Sequence, residues 1–424
     1  MIDWFSPPIM MGTTYLLLFG IGIIDAEFFD DRTRLRAMLL YYRGLSLAPI
    51  LYLAASLASF MVGYYLTPVG PITRRLRPLQ REWVPHRASV VGTLFFLATF
   101  GVLGLYTITV GYGRYEGSGN EALSNLSLLG ELSMIPCVFS LVRYMQYRAK
   151  VPGVQMSRWD LRFLWGVMLP LQLAISIFIG VRSRAVLVVL TVVSAYHYLY
   201  KPIRPRSFGI LGAVLLFVAM PLLEYLRPDA MLLPGESGSY AVRAWQSVAG
   251  RTSSIETFTV IYENLDRVPE PDPIYWALTS GLIPRFLWPS KPIANFSERL
   301  TFWAVGQREL AWMGPTLPGE LLILLGHAGA LLFMLALGAL WRVLKEISRI
   351  GEPGAWIALY LVILRTLQTV EIGFVIPYST LTRFLAVTIL LLLITTAPVG
   401  RRVTARRPML VNPGRFRRTA LGAS

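Results

Sequence analysis

The segment Leu45-Ser-Leu-Ala-Pro-Ile-Leu-Tyr-Leu-Ala-Ala-Ser-Leu-Ala-Ser-Phe-Met-Val-Gly-Tyr-Tyr-Leu66 contains no charged side chain. At about 1.5 Å of rise per residue, a helix of this length crosses a bilayer hydrocarbon core of about 30 Å. Ala88–Val110 is a second uncharged run of sufficient length. Over the whole chain, 54% of residues are hydrophobic and 15% are charged, whereas soluble domains carry about 25% charged residues. We therefore predict an integral membrane protein.

Further apolar runs raise the number of predicted membrane spans to about ten. The other eight lie at Ile9–Ile24, Ser124–Val142, Phe163–Val181, Ala185–Tyr200, Phe208–Leu223, Pro318–Trp341, Ala355–Phe374 and Tyr378–Val399. These runs are continuously apolar, whereas the strands of a membrane β-barrel alternate between apolar and polar residues. The first run follows no basic segment, so we interpret it as a span rather than as a signal peptide. The predicted fold class is an all-α polytopic membrane protein.

Lysine and arginine gather in alternate connections between the predicted spans. These basic residues are Arg74, Arg75, Arg77, Arg81, Arg87, Arg143, Arg148, Lys150, Arg158, Arg162, Lys201, Arg204, Arg206, Arg342, Lys345, Arg349 and seven arginines between 401 and 418. The positive-inside rule assigns such connections to the cytoplasm, and with them both termini. They account for 23 of the 40 basic residues, so the net charge of +16 does not predict nucleic-acid binding. The charge-balanced first loop, Asp25–Arg43, is either a free loop or an interfacial helix.

The span pattern divides the chain into four parts. Residues 1–225 hold the first seven spans with short loops, 226–317 form one large extracytoplasmic loop, 318–399 hold the last three spans, and 400–424 form a basic cytoplasmic tail. In the large loop, apolar residues at helical spacing predict a helix within Ser239–Asn264, and the prolines of Val268–Pro273 end it. Gly281–Pro292 predicts a rigid turn that presents Arg285, Trp288 and Lys291. The alternative is a structural plug with solvated charges.

Ionisable residues within spans are costly and mark functional sites or buried pairs. Glu131, Arg365, Glu371 and Arg383 are predicted to lie within spans, Glu320 begins the eighth span, and Arg182 and Arg184 form a tight external turn. These residues converge on the outer half of the bundle, with arginine in excess. Guanidinium groups bind phosphate oxygens bidentately, so the cluster predicts an anionic ligand. In the alternative reading, Arg365 pairs with Glu371 or Glu131 to hold helices together, and Arg182 and Arg184 reach lipid headgroups.

The residues that usually hold metals and cofactors are sparse. Cys137 is the single cysteine, and the three histidines, His86, His197 and His327, are far apart in the sequence. The sequence has no phosphate-binding P-loop and no dinucleotide-binding glycine motif. We therefore expect neither a metal site nor a cofactor. No internal repeat supports the inverted-repeat architecture of many transporters.

Several motifs resemble those of the bacterial oligosaccharide repeat-unit polymerases, the O-antigen polymerase family. The likeness is sharpest in Ile283-Pro-Arg-Phe-Leu-Trp-Pro-Ser-Lys-Pro292, followed by Gly319-Glu320 and then Gly326-His-Ala-Gly329. Arg182-Ser-Arg184 is similar to the arginine-bearing turn of that family, and Leu45–Tyr52 to its early proline-containing span. Related ligases share the same layout.

The resemblance implies metal-independent glycosyl transfer at the outer face of the bacterial cytoplasmic membrane. The donor would be a growing glycan on undecaprenyl pyrophosphate, and the acceptor a lipid-linked repeat unit. A chain-length regulator protein would be a possible partner, and membrane lipid the surroundings. A departure is Val181, where the family pattern suggests glycine or serine, so either Arg182 or Arg184 occupies the arginine position.

Each candidate site residue has an expected role in this chemistry. Arg182, Arg184 and Arg285 would stabilise the departing pyrophosphate, with Lys291, Arg365 and Arg383 binding substrate and Trp288 facing a sugar ring. Glu320 would accept the proton of the attacking hydroxyl. His327, seven residues on and on the same helical face, would relay that proton, or else is a packed residue in a glycine-rich helix contact.

Three alternatives stay open. A ligase would use the same donor with a different acceptor. A flippase or other transporter of lipid-linked glycans would need a polar path to the cytoplasmic side, which the outer clustering of charges disfavours. A structural or sensory component of an envelope complex could dock through the basic tail, although attraction to anionic lipid also explains that tail.

Overall fold

The structure of the protein, a computed structural model, describes residues 3, 5–28, 39–71, 81–110, 132–151, 153–178, 182–219, 254–273, 275, 296–306, 314–350, 359–362, 373 and 375–398. Its helices are α1 (Pro7–Tyr15), α2 (Ile21–Phe28), α3 (Leu47–Leu66), α4 (Pro85–Val110), α5 (Met134–Arg148), α6 (Arg158–Phe163), α7 (Leu169–Phe178), α8 (Arg182–Leu199), α9 (Pro205–Val214), α10 (Ser254–Glu263), α11 (Phe296–Val305), α12 (Leu317–Ile350) and α13 (Val375–Thr395). Turns of π-helix at Leu16–Gly20, Leu164–Met168 and Leu215–Ala219 continue α1 into α2, continue α6 into α7 and extend α9.

Within the described residues, three helices are long and apolar enough to cross a membrane. They are Pro7–Ile24, Leu47–Leu66 and Leu317–Ser348. Shorter apolar helices at Val90–Val102, Val188–Leu199 and Phe384–Thr395 fall inside other predicted spans. The prediction of a mostly helical chain with membrane-length helices is thus confirmed, and the number of ten spans stays a prediction.

The central contact is between α3 and α12, and glycine makes it possible. A Cβ atom at Gly63 would overlap the backbone carbonyl oxygen of Leu335, and one at Gly338 would overlap the carbonyl oxygen of Phe60. Small residues let helix backbones approach this closely, which is a common basis of packing inside membranes. Farther along α12, the guanidinium of Arg342 lies 5.4 Å from the ring of Tyr64. The Tyr52 hydroxyl, nearer the start of α3, donates to the carbonyl of His327, nearer the start of α12. From Tyr52 with His327 to Tyr64 with Arg342, the contacts advance in the same direction along both helices, which therefore run parallel.

The helical segment formed by α1 and α2 packs against α3 in the opposite direction. The hydroxyl groups of Tyr15 and Ser56 are 3.1 Å apart and hydrogen-bonded. Nearer the start of α1, Gly12 faces the end of the Met61 side chain. Because the residue number falls on one helix as it rises on the other, the two run antiparallel.

The segment before α1 is anchored by a buried polar cluster. Lys345, which is only 3% exposed, lies 2.8 Å from Asp3 Oδ2 and donates to the hydroxyl of Tyr198. The Tyr198 hydroxyl donates to Asp3 Oδ1 over 3.0 Å. The neighbouring Phe5 is fully buried against His197, with ring centroids 5.4 Å apart. The start of α1 therefore lies beside the last turns of α8 and α12.

A short antiparallel ribbon departs from the all-helical prediction. Strand β1 (Arg81–Trp83) pairs with β2 (Thr396–Pro398), and Val84 N–H donates to the carbonyl of Thr395 over 3.0 Å. The two segments flank long helices, and each is three residues long, which is too short for sequence periodicity to indicate a strand. The ribbon brings the start of α4 beside the end of α13.

Two predicted loop boundaries also need correction. Helix α2 continues to Phe28, so the predicted first loop, Asp25–Arg43, begins with helical residues. Helix α12 continues to Ile350, so the basic residues predicted to follow the eighth span lie on the helix. The reason is that Arg, Lys and Glu are good helix formers, and apolar residues such as Leu344 continue the buried face.

Replacing Gly338 with alanine tests the central contact. The added methyl group would collide with the backbone of Phe60, so Gly338→Ala should lower stability by about 1–3 kcal/mol. The matched control is Gly212→Ala in α9, where a Cβ atom meets nothing within 4 Å. The measurement is the melting temperature of the detergent-solubilised protein. Equal melting temperatures for the two variants would show that the α3–α12 contact is looser than described.

Candidate functional site

The backbone of α12 leaves the helical conformation at Gly326, where φ is 68° and ψ is 179°. This backbone region is essentially restricted to glycine. The break divides α12 into residues 317–325 and residues 327–350. A break in a membrane-length helix is tolerated only where protein or a water-filled cavity satisfies the freed backbone groups. Gly326 therefore marks a special position in the longest helix of the described chain.

The break overturns one prediction about the site. The spacing of Glu320 and His327 predicts a shared helical face, but this inference needs a continuous helix between them. Gly326 interrupts that turn. The side chain of Glu320 is 2% exposed, whereas that of His327 is exposed. The helical spacing therefore no longer supports a proton relay between the two.

Two tyrosines fix His327 at the break. Its ring centroid lies 5.4 Å from that of Tyr52 and 5.4 Å from that of Tyr262, with interplanar angles of 89° and 87°. The Tyr52 hydroxyl also donates to the backbone carbonyl of His327 over 2.9 Å. The imidazole is therefore held in place by edge contacts while it stays exposed.

Helix α10 covers the first part of α12. Phe258 and Ile261 lie in contact range of the space that a Cβ atom on Gly319 would fill. The ring of Phe258 stacks on that of Tyr52 with centroids 6.2 Å apart. The absence of a side chain at Gly319 thus lets α10 pack onto α12 beside Glu320.

The Glu320 carboxylate lies against the backbone of another segment. A Cβ atom at Gly373 would overlap Glu320 Oε2, and would come within 2.7 Å of Pro315 Cγ. Gly373 has a φ of 103°, and Thr316 has a φ of 60°. Positive φ at a β-branched residue is an outlier that costs about 1–3 kcal/mol. This strained, glycine-dependent packing holds the carboxylate where the start of α12 meets the segment before α13.

The start of α12 is also capped. The Thr316 hydroxyl accepts a hydrogen bond from Gly319 N–H over 3.2 Å, and its carbonyl accepts one from Glu320 N–H over 3.0 Å. Thr316 itself is fully buried. These two hydrogen bonds offset the backbone strain at Thr316, because they satisfy N–H groups in the first turn of the helix.

Glu256 is a buried acidic residue that the sequence reasoning missed. It lies in the first turn of α10 and is fully buried, together with its neighbours Thr257 and Thr259. The sequence gives no clear signal for its burial, because an acid beside the apolar positions Ile255 and Phe258 is also typical of the solvated side of an amphipathic helix. Carboxylates are rarely fully buried unless they are paired, and Glu256 is thus a second buried acidic group of this region besides Glu320.

Asp272 connects two parts of the large predicted loop. Its carboxylate, in a residue that is 2% exposed, accepts the backbone N–H of Phe296 over 3.1 Å and lies 2.9 Å from Arg299 Nη2. The start of α11 is therefore tied to the proline-rich segment that follows α10. Helix α10 ends at Glu263, and turn residues 264–267 separate it from the prolines of Val268–Pro273 that were predicted to end it.

Residues between α2 and α3 bind both helices of this loop. Tyr41 stacks on Trp303 with ring centroids 4.7 Å apart and an interplanar angle of 18°. Leu40 N–H donates to the carbonyl of Ala304 over 2.8 Å. The Ser46 hydroxyl donates to Glu263 Oε1 over 2.7 Å. The segment 39–46, α10 and α11 thus form one packed layer at the end of the bundle where α3 and α12 begin.

The predicted cationic residues are only partly placed. Arg182 and Arg184 lie in the first turn of α8 rather than in a turn between helices, because arginine is a good helix former and precedes a long apolar helix. Arg383 lies in the third turn of α13. The side chains of these three arginines lie outside the described part of the structure. So do the whole residues Arg285, Trp288, Lys291 and Arg365.

No group of three His, Cys, Asp or Glu side chains within the described ranges could hold a metal ion. Cys137 is buried in α5, and its thiol lies 4.0 Å from the carbonyl of Met168. A small apolar pocket is lined by side chains that include Val138, Leu361 and Phe384. The candidate site is therefore the layer around Glu320, Gly326 and His327.

Comparisons of the chain with protein-family models, with curated proteins and with solved structures found no match. The chain is therefore assigned to no family. Its function is proposed from the site and from the sequence motifs.

Chemical modification tests the exposure of His327. Diethylpyrocarbonate acylates accessible imidazoles, so it should modify His327 faster than His197, which is 9% exposed and accepts the N–H of Ile203. The measurement is peptide mass spectrometry of the detergent-solubilised protein over a time course. Faster modification of His197 would contradict the described arrangement.

Replacing Asp272 tests the connection between α11 and the segment after α10. Asp272→Ala removes the acceptor of Phe296 N–H and the partner of Arg299, and should lower stability by about 1–3 kcal/mol. Asp272→Asn keeps an acceptor for the N–H group and should cost less. Tryptic cleavage after Arg267 and Arg299 should accelerate in the alanine variant, as followed by mass spectrometry. Unchanged cleavage would show that the connection does not hold the loop together.

Proposed function

We propose that this protein polymerises lipid-linked oligosaccharide repeat units at the outer face of the bacterial cytoplasmic membrane. The oxygen of an acceptor sugar hydroxyl attacks the anomeric carbon of a glycan carried on undecaprenyl pyrophosphate. A new glycosidic bond forms, the bond from the anomeric carbon to the pyrophosphate breaks, and the hydroxyl proton passes to a base. The observation that carries the proposal is the break at Gly326 in a membrane-length helix, between the buried Glu320 and the exposed His327.

Helix directions support a ten-span arrangement with cytoplasmic termini. In this arrangement α3 and α12 are the second and eighth spans, which should both run inward, and they are parallel. The segment of α1 and α2 is the first span, which should run outward, and it is antiparallel to α3. An inward-facing end would then include the Asp3–Lys345 contact and the ribbon of β1 and β2. Arg342 and Lys345 lie towards that end, as the positive-inside rule would require.

The opposite end of the bundle supports an outer location for the reaction. The layer of segment 39–46, α10 and α11 packs at the end where α3 and α12 begin. In the proposed topology this layer belongs to the extracytoplasmic part of the chain. It also contains aromatic groups such as Tyr262 beside His327, and tyrosine faces suit the apolar faces of sugar rings.

Glu320 is the proposed base and His327 the proposed contact to the acceptor. The Glu320 carboxylate is nearly excluded from solvent, in the first turn of α12. Its position is fixed by the backbone at Gly373, which is the preorganisation that general base catalysis needs. The exposed imidazole of His327 can hydrogen-bond a sugar hydroxyl, while the two tyrosines fix its orientation.

Arginine is proposed to stabilise the leaving pyrophosphate. Arg182 and Arg184 lie in the first turn of α8, where the helix dipole places partial positive charge. Two cations at this end add to that positive potential, so the region should attract a phosphate group. Arg285, with Lys291, Trp288, Arg365 and Arg383 in substrate binding, completes the set that the sequence resemblance suggests.

Replacing Glu320 and Arg285 tests the proposed reaction. In a strain lacking this protein, restored with each variant at equal membrane levels, Glu320→Gln should lower the polymerisation rate about 10²–10⁴-fold. Arg285→Ala should lower it about 10²–10³-fold. The matched controls are Glu298→Gln and Arg267→Ala, which change exposed residues of the same loop. The measurement is the length distribution of the surface polysaccharide and its lipid-linked precursors.

Each outcome of this experiment distinguishes one function. Accumulation of lipid-linked single units with either site variant supports the polymerase. Long chains that stay on the lipid carrier would indicate a ligase, which uses the same donor. Precursors confined to the cytoplasmic leaflet would indicate a transporter. A normal ladder with Glu320→Gln or Arg285→Ala would reject the assigned chemistry.

A further inference from the structure

Three turns at one end of the bundle form a continuous basic and aromatic surface. They are the end of α5, the start of α6 and the connection from α8 to α9. The end of α5 meets the end of α8, where the Arg148 guanidinium lies 5.3 Å from the ring of Tyr200. The end of α5 also meets the π-helical turn between α6 and α7, through ring centroids of Tyr144 and Trp165 that are 5.4 Å apart. We call this the α5–α9 surface.

The cations of the α5–α9 surface are all exposed. They are Arg148, Lys150, Arg158, Arg162, Lys201, Arg204 and Arg206. The single acid among the described residues from 147 to 163 and from 199 to 206 is Asp160. Its carboxylate accepts the N–H of Ser157 over 3.0 Å and lies 3.3 Å from the buried Arg143. Asp160 is thus engaged with a different arginine, and the exposed cations are left in large excess.

Exposed aromatic side chains accompany these cations. Trp159 is 77% exposed, Trp165 is 44% exposed and Tyr200 is 36% exposed. The Arg162 guanidinium lies 5.8 Å from the ring of Trp159. Tryptophan and tyrosine beside arginine are typical of a membrane–water interface, where the ring enters the headgroup region and the cation meets phosphate.

The short helix α6 presents Trp159 and Arg162 on the surface. Its N-terminus has a capping box in which the Ser157 hydroxyl accepts Asp160 N–H over 3.1 Å and the Asp160 carboxylate accepts Ser157 N–H. The salt bridge from Asp160 to Arg143 ties this cap to α5. Helix α6 is therefore fixed in place, although none of its residues is buried. The side chains of Arg158, Trp159 and Arg162 consequently project from a rigid support.

The state of Arg148 adds to the charge of the surface. The hydrogen bond to Tyr200 and the nearby Tyr144 raise the pKa of its guanidinium. The group is charged at every physiological pH, so the surface does not lose this cation by deprotonation.

We infer that the α5–α9 surface binds the headgroups of anionic phospholipids and selects them over zwitterionic ones. The charge complementarity is direct, since seven cations accompany one acid in the described residues of these turns and phosphate is the preferred partner of arginine. The exposed tryptophan favours a lipid surface over an acidic protein, because its ring gains an apolar environment there. This inference needs only that the chain lies in a membrane, and it is independent of the proposed reaction.

Quenching of Trp159 fluorescence by brominated lipid tests this inference. The full-length protein in detergent is titrated with brominated phosphatidylglycerol or brominated phosphatidylcholine, and the signal of Trp159→Phe is subtracted to isolate Trp159. Phosphatidylglycerol should quench this signal at a lower lipid fraction, and the preference should fall as salt is raised. Each cation near an anionic surface contributes a factor of about five. Arg158→Gln/Arg162→Gln should therefore weaken the preference by roughly twenty-five-fold.

The matched control is Arg43→Gln/Arg267→Gln, which removes two exposed cations from the other end of the bundle. It should keep the wild-type preference. Equal quenching by the two lipids in the wild-type protein would overturn the inference. An equal loss of the lipid preference in Arg158→Gln/Arg162→Gln and in Arg43→Gln/Arg267→Gln would also overturn the inference. Stronger displacement by polyglutamate than by phosphatidylglycerol vesicles would assign the surface to an acidic protein partner instead.

Discussion

The close contact of α3 and α12 is the constraint on which the rest of the bundle depends. Two glycines, Gly63 and Gly338, bring helix backbones together at a distance that no other residue allows. In lipid there is no hydrophobic drive to join two apolar helices, so van der Waals packing between backbones has to supply the attraction. This contact fixes the parallel direction of the pair. It also sets where the first part of α12, with Glu320, stands relative to Tyr52.

The sequence predicts the helical part of this arrangement well, and for a simple reason. A span is encoded by composition over some twenty residues, so Leu45–Leu66 could be predicted nearly to the residue, since α3 covers Leu47–Leu66. Ends of helices depend on contacts, which one sequence does not display. The extension of α12 to Ile350 accompanies the burial of Lys345 against Asp3, more than three hundred residues away along the chain. The β1–β2 ribbon depends on a similarly distant pairing.

The candidate site was predictable in its residue types but not in its geometry. Glu320 and His327 stand out in the sequence because charged and imidazole groups are rare in apolar segments. The relative position of these two side chains cannot be predicted from the sequence, because it depends on the backbone conformation of Gly326. A glycine in a helical run gives no sign of whether its φ is positive. Glu256 was missed for the opposite reason, since an acid in a loop helix reads as a solvated residue until burial is known.

Helix α12 therefore has two halves with different physical character. Residues 327–350 are held by Gly338, by Arg342 on Tyr64 and by the buried Lys345, which together give this half a fixed position in the bundle. Residues 317–325 are joined to that half only through a glycine whose conformation is not helical. Their position is set instead by α10 at Gly319 and by the backbone at Gly373. A change in the packing of α10 can thus move Glu320 without disturbing the second half of the helix. The proposed function would use this division, because a bulky lipid-linked substrate would have to enter beside the fixed half of the helix.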